Sequence, residues 1–175
     1  MADTLHTISL EALQRADAYP HPVDRIELRE THISWVLLTG SYAYKIKKPV
    51  NFGFLDFSTL EKRHIYCEEE VRLNRRLAPE LYLDVVPICG EPTSPHIDGQ
   101  GQVLDYAVRM QQFDTRQGFD ELISRGELTT AHMDETARCL AGGPRAWTFR
   151  DRVAAAGSAA RDRAPDTRGR ATCRS

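Results

Sequence analysis

Residues 33–76 constrain the fold of this 175-residue chain more than any other segment. Alternating side chains over residues 42–47 predict a β-strand with two different faces. One face carries tyrosines and an isoleucine, and the other carries Ala43, Lys45 and Lys47. The run 58–61, Ser-Thr-Leu-Glu, has the form of a capping box, so a helix is expected from near Thr59 to Leu77. The sequence therefore predicts a lysine-bearing strand followed directly by a long helix.

The remaining patterns predict an α+β domain. Four further strands are expected over residues 23–30, 33–38, 81–88 and 103–110, with a loop over 90–101. Helices are expected at an amphipathic segment, 5–18, and at two short segments, 119–125 and 129–141. Five strands with one long helix packed across them would form a two-layer unit.

The composition changes abruptly at residue 142. Residues 142–175 hold eight arginines and three aspartates, for a net charge of +5, and contain no Leu, Ile, Lys or Glu. The preceding 141 residues carry a net charge of −7. A segment so poor in large apolar side chains cannot offset the entropy lost on ordering. Two interpretations stay open: a disordered basic tail, or translation of a GC-rich gene in the wrong frame.

Several features favour a cytoplasmic protein with neither a membrane nor a specific nucleic-acid partner. The four cysteines are widely spaced and form no CxxC or Cys/His cluster, which favours reduced thiols over disulfides or bound metal. The first fifteen residues are amphipathic and charged, unlike a signal peptide, and no apolar run is long enough to span a membrane. The basic segment lacks the interleaved aromatic residues that single-stranded nucleic acid would stack on.

The lysine-bearing strand has the spacing of a kinase nucleotide site. Ala43 and Lys45 share a face, so a small residue would lie beneath the adenine while an ammonium group reaches the phosphates. Lys47 lies on that face one repeat further along and is the competing candidate. The plainer alternative is that both lysines are solvated and protect a sheet edge.

The helix supplies a possible partner for either lysine. Glu70 shares a helical stripe with Leu73 and Leu77, and we expect this stripe to face the sheet. A carboxylate on a buried stripe needs a partner, because burying it unpaired is costly. Glu69, about 100° further around the helix, is the alternative.

Long blocks of this sequence resemble a known family. The blocks YKIKKPV, GFLDFSTLEKR, CEEEVRLNRRLAPELYLDVVPI and VLDYAVRMQQF closely resemble bacterial aminoglycoside phosphotransferase-like proteins, which often carry a C-terminal P-loop ATPase domain. The resemblance covers about residues 5–140. It implies an N-terminal helix in 1–22, a protein-kinase-like N-terminal lobe in 23–110, and a hinge with the start of a second lobe in 111–141.

The resemblance also implies roles for individual residues. Lys45 would pair with Glu70 and hold the phosphates of ATP. The segment from Met110 to Gln112 would form the hinge whose backbone hydrogen-bonds adenine, although core packing explains Met110 equally well. ATP would be the cofactor, with Mg²⁺ implied by the family.

Departures from the family pattern limit the expected activity. The turn at residues 30–32 has no glycine, and neither an H-G-D-x-x-x-x-N loop nor a G-x-x-x-x-G-K-[ST] motif occurs. Phosphoryl transfer needs the aspartates and asparagine that such a loop and lobe supply. We therefore expect a truncated, ATP-dependent small-molecule phosphotransferase by descent, inactive alone and without its Mg²⁺ ligands. The alternatives are a non-catalytic nucleotide-binding or protein-interaction module, associating through an exposed lobe face, and a non-functional gene fragment.

Overall fold

The computed structural model describes residues 8–113 and 118–142. The chain divides into two compact units, with the boundary between residues 113 and 114. The arginine-rich segment lies outside the described residues from 143 onward, and so do residues 5–7 of the expected N-terminal helix. The two interpretations of that segment therefore stay predictions.

The first unit is built on one antiparallel sheet. Its elements are β1 (Glu27–Glu30), β2 (Ser34–Leu38), β3 (Tyr42–Lys47), α1 (Leu60–Asn74), β4 (Tyr82–Glu91), β5 (Ser94–Ile97) and β6 (Val103–Gln111). The strands lie in the order β1-β2-β3-β6-β4-β5, and every neighbouring pair is antiparallel. The predicted α+β class is confirmed.

The predicted count of five strands is wrong, because β5 makes a sixth. It occupies part of the expected loop over 90–101 and forms a hairpin with the end of β4. β5 is only four residues long and contains Pro95, a residue that sheets accept mainly at their edges. Gly90 lies near the turn with φ +108°, a backbone conformation that residues with a Cβ rarely adopt.

The segment before β1 forms two short 3-10 helices, Ala12–Gln14 and Ala16–Ala18, where one amphipathic α-helix was expected. Arg15 separates them with an extended backbone (φ −99°, ψ 142°), which breaks the α-helical ladder. Leu13, Ala18 and Tyr19 are buried. Burial of these side chains against the sheet has overridden the helical periodicity of the sequence.

The sheet is covered on both faces. Tyr44 and Ile46 of β3 belong to a core that also contains Leu13 and Tyr19 of the N-terminal segment. A smaller core, with Cys67 of α1 and Val108 of β6, lies on the opposite face. The predicted two layers thus become three: α1, the sheet, and the N-terminal segment. The other residues of β3, Ala43, Lys45 and Lys47, are on the face that α1 covers.

The second unit contains α2 (Phe119–Ser124) and α3 (Thr130–Gly142), close to the predicted bounds. Gly126, with φ +67°, lies just beyond the end of α2 in the left-handed conformation common after helices. The side chain of His132 accepts a hydrogen bond from the Thr129 backbone N–H at the start of α3. No helix in residues 8–113 or 118–142 is both long and apolar enough to cross a membrane.

Candidate functional site

Strand β3 lies in the middle of the sheet and presents two lysines to one face. It pairs with β2 and β6, and Lys45 is level with Val36 on one side and Val108 on the other. Because side chains alternate along a strand, Ala43, Lys45 and Lys47 share the face that α1 covers. The lysines therefore lie on a central strand and not at an exposed sheet edge.

Helix α1 begins one residue later than the capping-box pattern suggested. Thr59 is the N-cap, and its side-chain oxygen accepts the Lys62 backbone N–H at 3.2 Å. Ser58 instead donates its hydroxyl to Asp56 at 2.6 Å. A Thr N-cap satisfies one of the unpaired N–H groups at the helix start and so fixes where α1 leaves the loop.

The predicted inward stripe of α1 is wrong in two of its three positions. Leu73 is 47% exposed, and Leu77, which follows the end of α1, is 49% exposed. The buried residues of the helix are Arg63, Cys67 and Val71, each four residues after the last. Glu70 adjoins this stripe and is largely buried, so the inward direction of its carboxylate was predicted correctly for an incorrect reason.

Glu70 binds both candidate lysines. Lys45 Nζ donates to Oε1 at 2.7 Å, and Lys47 Nζ donates to Oε2 at 2.6 Å. The side chains of Lys45, Lys47 and Glu70 are 27%, 6% and 13% exposed, respectively. We call these three residues the lysine–glutamate cluster. Its two cations and one anion leave a net charge of +1.

The alternative carboxylate, Glu69, does not join the cluster. It accepts hydrogen bonds from Arg72, the shortest at 2.7 Å, and both side chains are exposed. Exposed pairs of this kind contribute little to stability. Glu69 and Glu70 are adjacent in sequence but about 100° apart around the helix, so Glu69 faces solvent while Glu70 faces the sheet.

The cluster keeps its carboxylate ionised. Burial by itself would raise the pKa of Glu70, but the hydrogen bonds from Lys45 and Lys47 outweigh it and hold this pKa below its ordinary value. Lys47 Nζ also lies 5.0 Å from the centre of the Phe57 ring, a cation–π contact. Burial raises the pKa of the neighbouring Tyr82 hydroxyl, and the charge of Glu70 adds to this effect.

A second buried ion pair fixes α1 on the sheet. Arg63 Nε donates to the two carboxylate oxygens of Asp105 at 2.9 and 3.0 Å, and Nη1 donates to the Phe57 carbonyl at 3.2 Å. Both side chains are buried. Sequence reasoning missed this pair, although an aspartate inside the apolar run VLDYAV was a usable signal, since buried carboxylates need partners.

The predicted adenine-contacting residues lie along the same face. Ala43 is buried and directly opposite Met110 in the β3–β6 ladder, while Met110 is half-buried against the Cys67 cluster. Gln112 follows β6, where its backbone N–H donates to the Ser41 carbonyl at 3.1 Å. Its side-chain oxygen accepts the Gly40 N–H at 2.9 Å, which fastens the β2–β3 turn to the end of β6. The structure thus brings Ala43, Lys45 and Met110 together, with Gln112 at the rim.

The charge and exposure of the site are suited to attracting an anion. Lys45 is the partly exposed ammonium group of the lysine–glutamate cluster, whose net charge is +1. Among the described residues, no three His, Cys, Asp or Glu side chains are grouped in a way that would hold a metal ion. The chemistry that this geometry supports is electrostatic recognition of a negatively charged group such as phosphate.

Comparison with known proteins identifies relatives in mycobacteria. Uncharacterised proteins from two strains of Mycobacterium tuberculosis and one strain of Mycobacterium bovis are each 34% identical to this chain over 124 residues. The match covers 69% of this chain but 23% of each relative. The chain therefore spans less than a quarter of the length of these relatives. No family model and no solved structure matches it.

Proposed function

We propose that this chain binds the phosphate groups of ATP through Lys45, as the nucleotide-binding part of a kinase-like phosphotransferase. The observation that carries this proposal is the 2.7 Å bond between Lys45 on the third strand and Glu70 on the helix that follows it. Protein kinases hold their nucleotide phosphates with a lysine on the third strand, and that lysine pairs with a glutamate on the next helix. The order of elements and the pairing both agree.

Exposure distinguishes the two lysines of the cluster. Lys45 retains 27% of its side-chain accessibility, whereas Lys47 retains 6%. A phosphate arriving from solvent therefore meets Lys45 first. The net charge of +1 in the cluster leaves one positive charge for that phosphate to neutralise.

The adjoining sheet face offers an apolar surface for a base. Val36 and Leu38 of β2 are partly buried and lie opposite Lys45 and Ala43 in the β2–β3 ladder. Met110, which packs against Cys67 and Val71 of α1, borders the site from β6. A planar base packed there would place its phosphates near Lys45. ATP would supply the phosphoryl group, and the residues of this chain would bind and orient the nucleotide.

We place the transfer step outside the capacity of this chain alone. Its sequence has no H-G-D-x-x-x-x-N loop to orient an acceptor hydroxyl or to bind Mg²⁺. A small-molecule hydroxyl remains the acceptor class for a complete relative. This chain by itself would then act as a non-catalytic nucleotide-binding module.

Thermal unfolding of the full chain with and without Mg-ATP tests the proposal. Wild type should be stabilised by about 2.7 kcal/mol when free Mg-ATP reaches 100 times its Kd. Lys45→Met should lose this shift. Lys62→Met is the matched control. It also replaces a lysine by methionine, but Lys62 lies on α1, pairs with Asp56 and is not part of the lysine–glutamate cluster.

Two results would contradict the proposal: wild type showing no shift at millimolar Mg-ATP, or Lys45→Met retaining the wild-type shift. Replacing Mg-ATP with inorganic tripolyphosphate separates the contributions of phosphate and adenosine. Binding of both with similar affinity would limit the site to phosphate recognition and remove the role assigned to Ala43 and Met110.

A further inference from the structure

We infer that Lys47 is a positioning residue: it holds Glu70 in place, so that the charge of Lys45 is available to a nucleotide phosphate. This inference rests on the proposed function, in which Lys45 is the phosphate ligand. The observation that carries it is the division of the Glu70 carboxylate, with Oε1 bonded to Lys45 and Oε2 bonded to Lys47. Each lysine has its own oxygen, so neither has to release the carboxylate for the other to bind it.

The surroundings of Lys47 exclude it from direct contact with a ligand. Its side chain is 6% exposed, and its Nζ lies between the Glu70 carboxylate and the face of Phe57. Phe57 itself is buried, and its carbonyl accepts a hydrogen bond from Arg63. A phosphate could reach Lys47 only by displacing this packing, whereas Lys45 is already open to solvent.

Charge balance shows what the second lysine accomplishes. With only Lys45 present, a phosphate and the largely buried Glu70 carboxylate would have to share one positive charge, and a buried carboxylate that is poorly neutralised is costly. Nucleotide binding would then compete with the helix–strand pairing. With Lys47 on the other oxygen, Glu70 keeps a partner and the buried part of the site becomes a neutral pair. The charge of Lys45 is then available to the phosphate.

The first test uses the free protein and a variant that keeps Lys47. In Lys45→Met, the Lys47 ammonium protons, followed by NMR, should still exchange slowly with solvent, because the bond from Lys47 Nζ to Glu70 Oε2 remains. Fast exchange of these protons in this variant would overturn the inference. This measurement needs no substitution of the buried Lys47, so it holds even if Lys47 variants fold poorly.

The second test uses Cys67, a buried thiol on the inward face of α1, as a reporter of helix opening. Burial raises the pKa of this thiol to about 12, so alkylation requires α1 to separate from the sheet. Lys47→Met should speed alkylation of Cys67 at least about tenfold, because Glu70 then keeps only Lys45, whose 27% exposed ammonium group is the weaker anchor. Lys45→Met should change this rate less than about threefold, since Lys47 still anchors Glu70. The control Lys62→Met should match wild type.

Glu70→Gln completes the design. If Lys47 acts through Glu70, adding Lys47→Met to Glu70→Gln should accelerate alkylation no further. Equal acceleration by the two lysine variants, or additive effects in the double variant, would overturn the inference. Failure of wild type to bind Mg-ATP would instead overturn the proposed function, because the NMR and alkylation results are obtained without nucleotide.

Discussion

Replacing Arg63 by Met should destabilise the first unit far more than removing any surface arginine. The substitution leaves the buried Asp105 carboxylate with the Tyr106 backbone N–H, at 2.8 Å, as its remaining hydrogen-bond donor among those identified. Breaking one side of a buried ion pair costs about 3–5 kcal/mol. Small domains have about 5–15 kcal/mol in total, so the variant should fold but with a much lower urea midpoint.

The pH dependence of this loss follows from Asp105. Burial already raises the pKa of Asp105 in the wild type, against the opposing hydrogen bonds from Arg63. Removing Arg63 raises this pKa further. A carboxyl group whose pKa is higher in the folded state loses stability as pH rises from its unfolded pKa to its folded pKa. The cost of Arg63→Met relative to wild type should therefore grow by about 1.4 kcal/mol per pH unit between the folded pKa of Asp105 in wild type and its higher folded pKa in the variant.

Urea denaturation at pH 5, 6 and 7 measures both quantities. Arg72→Met is the matched control, because Arg72 pairs with Glu69 on the exposed side of the same helix and its loss should change stability little. A loss for Arg63→Met that is no larger than the control would refute the buried-pair account. A loss that does not change with pH would show that Asp105 keeps its charge by another contact.

Two further outcomes are expected elsewhere in the first unit. Hydrogen bonds from Lys62 and Ser58 lower the pKa of Asp56 from 3.8 to about 2, so wild type should lose stability as pH falls between these values. Thermal unfolding of Asp56→Asn should show a flatter profile there, and identical profiles would disprove the contribution. Gly90→Ala should destabilise more than Gly53→Ala in urea: both have positive φ, but only at position 90 would the new Cβ meet a backbone atom, the Ser94 carbonyl oxygen at 2.9 Å. Equal losses would mean that this contact relaxes freely.

The strands and the long helix could be predicted because their signals are local. Alternation located β3, and the Ser-Thr-Leu-Glu run at 58–61 located the start of α1 to within one residue. The 3-10 helices and β5 could not be predicted this way. Arg15 departs from helical geometry because its neighbours pack into a core formed by distant strands, and β5 exists only as the edge partner of β4. Both depend on tertiary contacts that no local window contains.

The candidate site, too, was predictable only where local sequence signals decide the geometry. Sequence spacing selected Lys45 and Glu70 but left Lys47 as a competitor, because alternation gives the face of a side chain and not its depth. Depth is set by Phe57, which covers Lys47, and by the rotation of α1. That rotation depends on the Arg63–Asp105 pair, whose members are 42 residues apart, and so the stripe with Leu73 was predicted to face inward when it does not.

Helix α1 is thus attached to the sheet by two sets of ionic contacts, the Arg63–Asp105 pair and the lysine–glutamate cluster. They differ in net charge, which indicates different roles. Arg63 and Glu70 are seven residues apart, about 10 Å along the helix axis. The Arg63–Asp105 pair is neutral and closed to solvent, so well-packed apolar residues could replace it without loss of stability, as for other buried pairs. The lysine–glutamate cluster carries a net +1 and is open at Lys45. An apolar replacement would preserve the helix there but remove the charge that a phosphate requires. The first set of contacts fixes the rotation of α1, and that rotation aims Glu70 at the lysines, so the neutral pair determines the geometry in which the charged cluster can bind.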